Sequence, residues 1–199
     1  NGIAWQLDPT LLDATSNDSP ASYCRATARY GDPDAGDLGT PGLQNSACTA
    51  IANPNQCNDP MTGTMRAVVP PAPGELFFTE VMADPKLVGD TLGEWLELKS
   101  NAASDLNGLV LTVGASTRTL SSVDCLAVSA GGYALLAHNS DPLMNGGLPK
   151  PAALFSQALG NSGSVLSVGF PDGGLIDSAT YPAAIAGVAW QLNPAMSSS

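Results

Sequence analysis

The sequence predicts an all-β protein, an antiparallel β-sandwich that follows a loop-rich N-terminal segment. Short apolar or alternating segments recur roughly every 10–20 residues, with turn-forming residues between them. The chain of 199 residues contains 21 Gly and 16 Pro, a content that favours short strands and many turns. No segment shows the longer apolar period that predicts a stable helix.

Recognisable turns separate the predicted strands. Residues 114–116 form a glycine-led turn between two strands, and the Pro-Asp-Gly-Gly sequence of residues 171–174 is a strong hairpin turn between two others. Residues 94–99 alternate between polar and apolar with period two, which predicts a strand with one buried face. The predicted strands cover residues 3–7, 76–82, 94–99, 109–113, 118–120, 133–137, 164–168, 175–179 and 188–192.

Two nearly identical segments lie near opposite ends of the chain. Residues 2–9 read GIAWQLDP and residues 187–194 read GVAWQLNP, so six of the eight positions are identical. We name them the first ribbon and the second ribbon. Such a duplication is typical of tandem arrays, and it favours a repetitive structural or adhesive protein over an enzyme. Because each ribbon alternates apolar and polar residues, Trp5 and Trp190 are expected to anchor their strands in a core.

Composition predicts three regions with different character. Residues 10–49 are loop-like, residues 50–74 are rich in proline and are expected to form a semi-rigid linker, and residues 75–199 hold the sandwich body. No secretory leader is recognisable ahead of the first ribbon, so the sequence is interpreted as a mature or trimmed fragment.

Charge excludes several classes of partner. The formal net charge is −11, and an acidic chain repels both nucleic-acid backbones and anionic membrane surfaces. No run of 18 apolar residues is present, so no membrane span is predicted. The remaining classes are soluble binding, structural or catalytic proteins.

The four cysteines predict two disulfides and an oxidising compartment, with four buried thiols as the alternative. The residues are Cys24, Cys48, Cys57 and Cys125, and none forms the paired spacing of a zinc site. Three pairings are open. We prefer Cys48–Cys57, which closes a short Pro/Asn loop, and this leaves Cys24–Cys125.

Candidate catalytic residues are few. His138 is the only histidine and lies just past a predicted strand, so it is expected to be an exposed turn residue rather than part of a catalytic triad. Glu80, Glu94 and Glu97 are candidate carboxylates for acid–base chemistry. Glu94 and Glu97 should face opposite sides of their strand. Glu94 shares a face with apolar neighbours and is expected to be half-buried and bonded to backbone.

One acidic turn is a candidate cation site. Asp32, Asp34 and Asp37 lie close together in residues 32–37, where carboxylate and carbonyl oxygens could hold a structural calcium ion. The segment does not follow the EF-hand pattern, and a solvated acidic turn is the simpler interpretation. No other cofactor is predicted.

Three segments of the body resemble the bacterial lamin tail domain family. Residues 78–85 (FTEVMADP), 93–98 (GEWLEL) and 105–111 (DLNGLVL) follow that family's E-V-x-x-x-P, E-W-(I/L/F)-E-L and D-L-S-G-W-x-L pattern in order. Leu109 stands where the family often has Trp. The resemblance covers residues 75–194 and implies an immunoglobulin-like sandwich that serves as an attachment or interaction module, with no single activity.

The head of the chain resembles the tail of the same family. Residues 5–9 (WQLDP) and 39–45 (GTPGLQN) look like the last strand and closing loop of such a domain. Residues 1–49 would then complete one lamin-tail-like unit, and residues 75–199 would begin another. The two ribbons should therefore compete for the same position in a sandwich.

Three arrangements of the first ribbon remain open. It could fold back on its own body as a circular permutant, it could be the ordered end of a preceding domain, or it could complete a neighbouring molecule. The residues expected to carry this assembly are Trp5, Leu7, Trp190 and Leu192.

The predicted function is a non-enzymatic, extracellular or cell-surface structural or adhesive repeat. It is expected to self-associate head to tail into a fibre or layer through its terminal strands. The alternative is a monomeric binding module of a larger secreted protein, which holds a carbohydrate, a surface or a partner domain. A hydrolase needs convergent titratable groups, and this sequence offers little sign of them.

Overall fold

A computed structural model describes residues 2–9, 12, 23–31, 36–46, 48 and 55–191. The chain separates into two compact units, an N-terminal unit of Asn1–Asn53 and a C-terminal unit of Pro54–Ser199. The elements of the described residues are β1 (Trp5–Leu7), β2 (Tyr23–Arg25), β3 (Gln56–Asn58), β4 (Met65–Ala67), β5 (Leu76–Met82), α1 (Asp90–Gly93), β6 (Trp95–Ser100), β7 (Ser104–Asp105), β8 (Val110–Val113), β9 (Ser116–Thr119), β10 (Ala127–Val128), β11 (Tyr133–Ala137), β12 (Ala153–Leu154), β13 (Ser164–Gly169), β14 (Leu175–Tyr181) and β15 (Trp190–Gln191).

The C-terminal unit is an all-β sandwich, as predicted. One sheet has the strand order β12-β11-β6-β5-β15, and the other has the order β14-β13-β8-β9. Neighbouring strands are antiparallel except for β11 and β12. Apolar side chains from both sheets form one core, which includes Leu76, Phe78, Leu96, Leu98, Leu111, Leu166, Val168 and Ile176.

Local sequence accounts for the main strands. Leu96 and Leu98 are fully buried on β6 while the residues between them are partly exposed, which is the predicted alternation. The turn at residues 171–174 joins β13 and β14, where Gly173 adopts a φ of 93° that other residues rarely reach. The predicted hairpin around residues 114–116 is also present, between β8 and β9.

The structure differs from the expected linker between residues 55 and 74. Here β3 and β4 form an antiparallel hairpin in which Cys57 pairs with Arg66. The hairpin is attached to the sandwich through the Cys57–Cys125 disulfide and through Arg66, which binds Asp105. Neither attachment is visible in local composition, because both partners lie far along the chain.

Each unit contains one disulfide, and neither bond joins the two units. Cys24 is bonded to Cys48, and Cys57 is bonded to Cys125. The prediction of two disulfides is confirmed, but the preferred pairing of Cys48 with Cys57 and of Cys24 with Cys125 is wrong. The reason is that β3 lies beside the strand-like segment at Cys125, whose N–H donates to the carbonyl of Asn58 at 2.8 Å.

The N-terminal unit contains a small antiparallel sheet of β1 and β2, in which Gln6 is opposite Cys24. Leu38 adds a parallel bridge at Ile3. In the part of the chain described, no helix is long and apolar enough to cross a membrane.

Candidate functional site

The second ribbon closes the edge of the five-stranded sheet. On β15, Trp190 is opposite Val81 and Gln191 is opposite Glu80 of β5. The indole of Trp190 packs against the core cluster, and the amide of Gln191 donates to the carboxylate of Glu80. The expectation that this tryptophan anchors its strand in a core is therefore met.

The first ribbon has a different environment. Trp5 is 66% exposed, and the guanidinium of Arg25 lies over its ring at 5.9 Å from the centroid. Ile3 on the same face is also exposed, and Leu7 is half-buried. The polar face is the buried one: Gln6 donates to the carbonyl of Ser46 at 2.9 Å.

The expectation that Trp5 anchors a core is therefore wrong, since its side chain is exposed. Each ribbon pairs within its own unit, β1 with β2 and β15 with β5. The nearly identical ribbons differ in burial because burial of an edge strand depends on its partner strand, which the ribbon itself does not encode. Leu192, the remaining assembly residue, lies outside the described residues.

A second feature of the sandwich is a cleft of about 590 Å³ whose floor holds Glu94 and His138. The Glu94 side chain is 1% exposed and the His138 side chain 7% exposed, and Glu94 Oε2 lies 3.2 Å from His138 Nε2. The expected exposed turn position for His138 is wrong. Its ring packs edge-on against Phe155, with 4.4 Å between centroids.

Glu94 is bonded to backbone, as predicted, but is more deeply buried than expected. The N–H of Leu159 donates to Glu94 Oε2 at 2.8 Å. At the cleft mouth, the amide of Asn161 donates to the carboxylate of Asp90 at 3.2 Å. These contacts join α1 to residues 155–161, which are distant in sequence. Sequence reasoning missed this convergence because no local pattern places residue 94 beside residue 138.

Both nitrogens of the His138 ring are already engaged. Nδ1 lies 3.1 Å from the carbonyl oxygen of Asp90, and Nε2 lies 3.1 Å from the carbonyl oxygen of Gln157. An N–H at Nε2 can be shared between the carbonyl oxygen of Gln157 and the carboxylate of Glu94. Because both ring nitrogens are engaged by backbone carbonyl oxygens, this geometry suits a structural polar pair better than a general base.

Burial sets the titration of this cluster. It raises the pKa of Glu94 to about 7, partly offset by the hydrogen bond from Leu159, and the nearby charge of Asp90 raises it further. Burial, followed by the charge of Glu94, also raises the pKa of Tyr181 to about 12.

Stability should depend on pH through Glu94. Its folded pKa of about 7 lies above the ordinary value of 4.5. The contribution of Glu94 to the stability of the folded state is therefore complete below pH 4.5 and is lost as the pH rises through 7. Between pH 4 and pH 8, we expect the free energy of unfolding of the wild type to fall by on the order of 3 kcal/mol relative to that of Glu94→Gln. Urea unfolding at both pH values measures it, and a constant difference would contradict it.

The other two candidate carboxylates, Glu80 and Glu97, lie opposite each other on β5 and β6 and do not join the Glu94–His138 pair. Glu97 accepts a hydrogen bond from the hydroxyl of Thr79 at 2.7 Å, and Glu80 binds Gln191 at the opposite edge of β5. Glu94 and Glu97 face opposite sides of the sheet, as predicted.

The calcium prediction stays a prediction. Asp32 and Asp34 lie outside the described residues, and the carboxylate of Asp37 accepts a hydrogen bond from the N–H of Gly2 at 2.6 Å. Within the described ranges, the one close group of potential metal ligands is Cys57, Asp105 and Cys125. Its sulfurs are joined in a disulfide and its carboxylate binds Arg66, so it offers no cation site.

Comparison with known proteins adds no family assignment. No model of a protein family matches the chain, and neither curated proteins nor solved structures yield a significant match.

Proposed function

We propose that this chain is a non-enzymatic, secreted structural repeat of the lamin tail domain type that self-assembles through its terminal ribbons. One observation carries the proposal: the same ribbon sequence is found packed on a sandwich core at Trp190 and exposed at Trp5. An exposed strand with a large apolar face is a ready site for pairing with another chain.

Several features support the lamin tail resemblance. The segments that carry it fall in order on β5, β6 and the turn before β8, which are central to the sandwich. Opposed sheets of five and four strands suit an immunoglobulin-like architecture.

The proposal of a non-enzymatic role is supported by the acid–base geometry. The buried pair of Glu94 and His138 is engaged by backbone groups, and the remaining candidate carboxylates lie apart from it. A hydrolase needs a nucleophile and a base within hydrogen-bond reach of one substrate position.

The disulfides support an extracellular or cell-surface location. Two bonds within the chain suit an oxidising compartment, and the acidic composition suits a soluble surface protein.

Self-association tests the proposal. Sedimentation velocity over a wide concentration range should show head-to-tail oligomers of the wild type. Trp5→Ala should weaken association at least tenfold without loss of stability, because the indole is exposed. Trp190→Ala should destabilise the sandwich by about 2–3 kcal/mol, because it removes a partly buried anchor.

Leu43→Ala is the matched control, since Leu43 is an exposed apolar residue of the same unit and lies outside the ribbon. It should leave association unchanged. A strict monomer at high concentration would count against assembly. It would favour the second candidate, a monomeric binding module, for which the cleft at Glu94 and Asn161 is the specific observation.

A further inference from the structure

The free edge of β1 can be identified from its hydrogen bonds. Successive residues of a strand direct their backbone N–H and C=O groups to opposite edges. The N–H of Ala26 donates to the carbonyl of Ala4 at 2.8 Å, while the N–H of Ala4 donates to Leu38 at 2.9 Å. The carbonyl of Ala4 and, two residues later, the backbone groups of Gln6 are therefore directed toward β2. Trp5 therefore directs its backbone groups to the other edge. Among the described residues, no strand pairs with β1 there, although the amide of Asn45 donates to the carbonyl of Leu7 on this edge at 2.9 Å.

The same reasoning identifies the edge of β5 that β15 occupies. Ser100 exchanges backbone hydrogen bonds with residues 131–132, on the β11 side of β6. Because the direction alternates along the strand, Glu97 directs its backbone N–H and C=O groups toward β5, where it lies opposite Glu80. Val81 is the next residue of β5, so it must direct its backbone groups away from β6 and toward β15. There it lies opposite Trp190.

The two ribbons thus use opposite edges for their partners. The second ribbon bonds to β5 through the edge of its tryptophan, whereas the first ribbon bonds to β2 through the edge of Ala4 and Gln6. Pairing of the first ribbon with a strand equivalent to β5 would therefore leave its pairing with β2 intact. A continuous sheet in the order β6-β5-β1-β2 satisfies both sets of bonds.

The side-chain faces agree with this arrangement. In the second ribbon, Trp190 packs against the core and Gln191 is exposed. In the first ribbon, Trp5 is exposed and Gln6 is buried within its own unit. The exposed face of β1 carries Trp5, and it corresponds to the face of β15 that packs against the core. The opposite face, which carries Gln6, is already buried within the N-terminal unit. The pairing of β1 with β2 is kept, and in the described part of the chain only the amide of Asn45, which donates to the carbonyl of Leu7 at 2.9 Å, must leave this edge for the new pairing to extend past Trp5.

We infer that the partner of the first ribbon is the β5 edge of a second copy of this chain, with Trp5 opposite Val81 and Gln6 opposite Glu80. This inference rests on the proposed self-assembly and specifies its contact. The ribbon replaces β15, which is only two residues long and has one strand partner among the described residues. Each copy offers one ribbon and one edge, so the contact is heterologous and extends into an open chain.

Photo-crosslinking tests the register. The amino acid p-benzoylphenylalanine is placed at position 5, where an exposed side chain tolerates replacement by another large aromatic. Equal amounts of unlabelled and ¹⁵N-labelled chain are mixed, irradiated and digested. We expect crosslinks of mixed isotope content between position 5 and Leu76–Met82. The same probe at position 190 is the control, and in dilute monomer it should crosslink to this strand within one chain.

Each other outcome has a distinct meaning. Mixed crosslinks that reach a different surface, in a chain that still oligomerises, would overturn this contact and leave the proposed function standing. Crosslinks to β5 in which both peptides always carry the same isotope would show that the ribbon closes on its own chain. This result would also overturn the inference. A monomer that forms no mixed crosslinks would remove both the inference and the assembly on which it rests.

Discussion

Replacement of Arg66 by Met should lower the free energy of unfolding of the C-terminal unit by about 3–5 kcal/mol. Asp105 is 1% exposed, and its two carboxylate oxygens accept hydrogen bonds from Arg66 at 2.6 and 2.8 Å. The N–H of Val69 donates to the same carboxylate at 2.8 Å. Without the guanidinium, a buried charge would keep only this one neutral donor. Denaturant unfolding monitored by tryptophan fluorescence measures the loss.

Two variants separate the charge from the packing. Arg66→Lys keeps the charge but loses the paired geometry, so it should be intermediate. The double variant Arg66→Met/Asp105→Asn removes both charges and retains an oxygen acceptor for Val69, so it should recover much of the lost stability. A loss below about 1 kcal/mol for Arg66→Met would show that the pair is solvated in solution.

The pH dependence of this pair has the opposite sign to that of Glu94. Burial alone would raise the pKa of Asp105, but the hydrogen bonds from Arg66 and Val69 hold it below its ordinary value of 3.8. Its stabilising contribution is therefore present above pH 3.8 and is lost as the pH falls through the folded pKa. The difference in free energy of unfolding between the wild type and Arg66→Met should therefore become smaller at acidic pH.

Local pattern was sufficient to predict much of the sandwich. The alternation in β6, the apolar β5 and the turn at residues 171–174 each depend on neighbours in sequence, and each was predicted close to its observed place. The β3–β4 hairpin was not predicted. Its strands have three residues each and no apolar alternation, so their stability comes from Cys125 and Asp105, which are distant in sequence.

The functional sites illustrate the same limit. The ribbon repeat was visible in sequence, but the exposure of Trp5 and the burial of Trp190 depend on which strand lies alongside. The pairing of Glu94 with His138 likewise follows from the neighbouring positions of β6 and β11, because each residue adjoins the end of its strand where Trp95 and Ala137 pair. Such contacts require the sheet topology before they can be predicted.

Loss of the Cys57–Cys125 disulfide should have a comparably large effect. The bond closes a segment with a sequence separation of 68, and restriction of the unfolded chain by a loop of this size is worth about 4 kcal/mol. Both residues are buried, so Cys57→Ala/Cys125→Ala adds a small packing loss. We expect the free energy of unfolding of the C-terminal unit, measured with denaturant, to fall accordingly. In hydrogen exchange, the amides of the β3–β4 hairpin should lose protection first.

The matched control is Cys24→Ala/Cys48→Ala, which removes the other disulfide. That bond lies in the N-terminal unit, so the unfolding of the C-terminal unit should not change. Non-reducing peptide mapping of the wild type must recover Cys24 linked to Cys48 and Cys57 linked to Cys125. A peptide that links Cys48 to Cys57 would instead mean that residues 55–74 are held to the N-terminal unit. In that case the Arg66–Asp105 pair and the hydrogen bonds around Asn58 would attach the hairpin to the sandwich without a disulfide, and the loss expected for Arg66→Met would rise rather than fall.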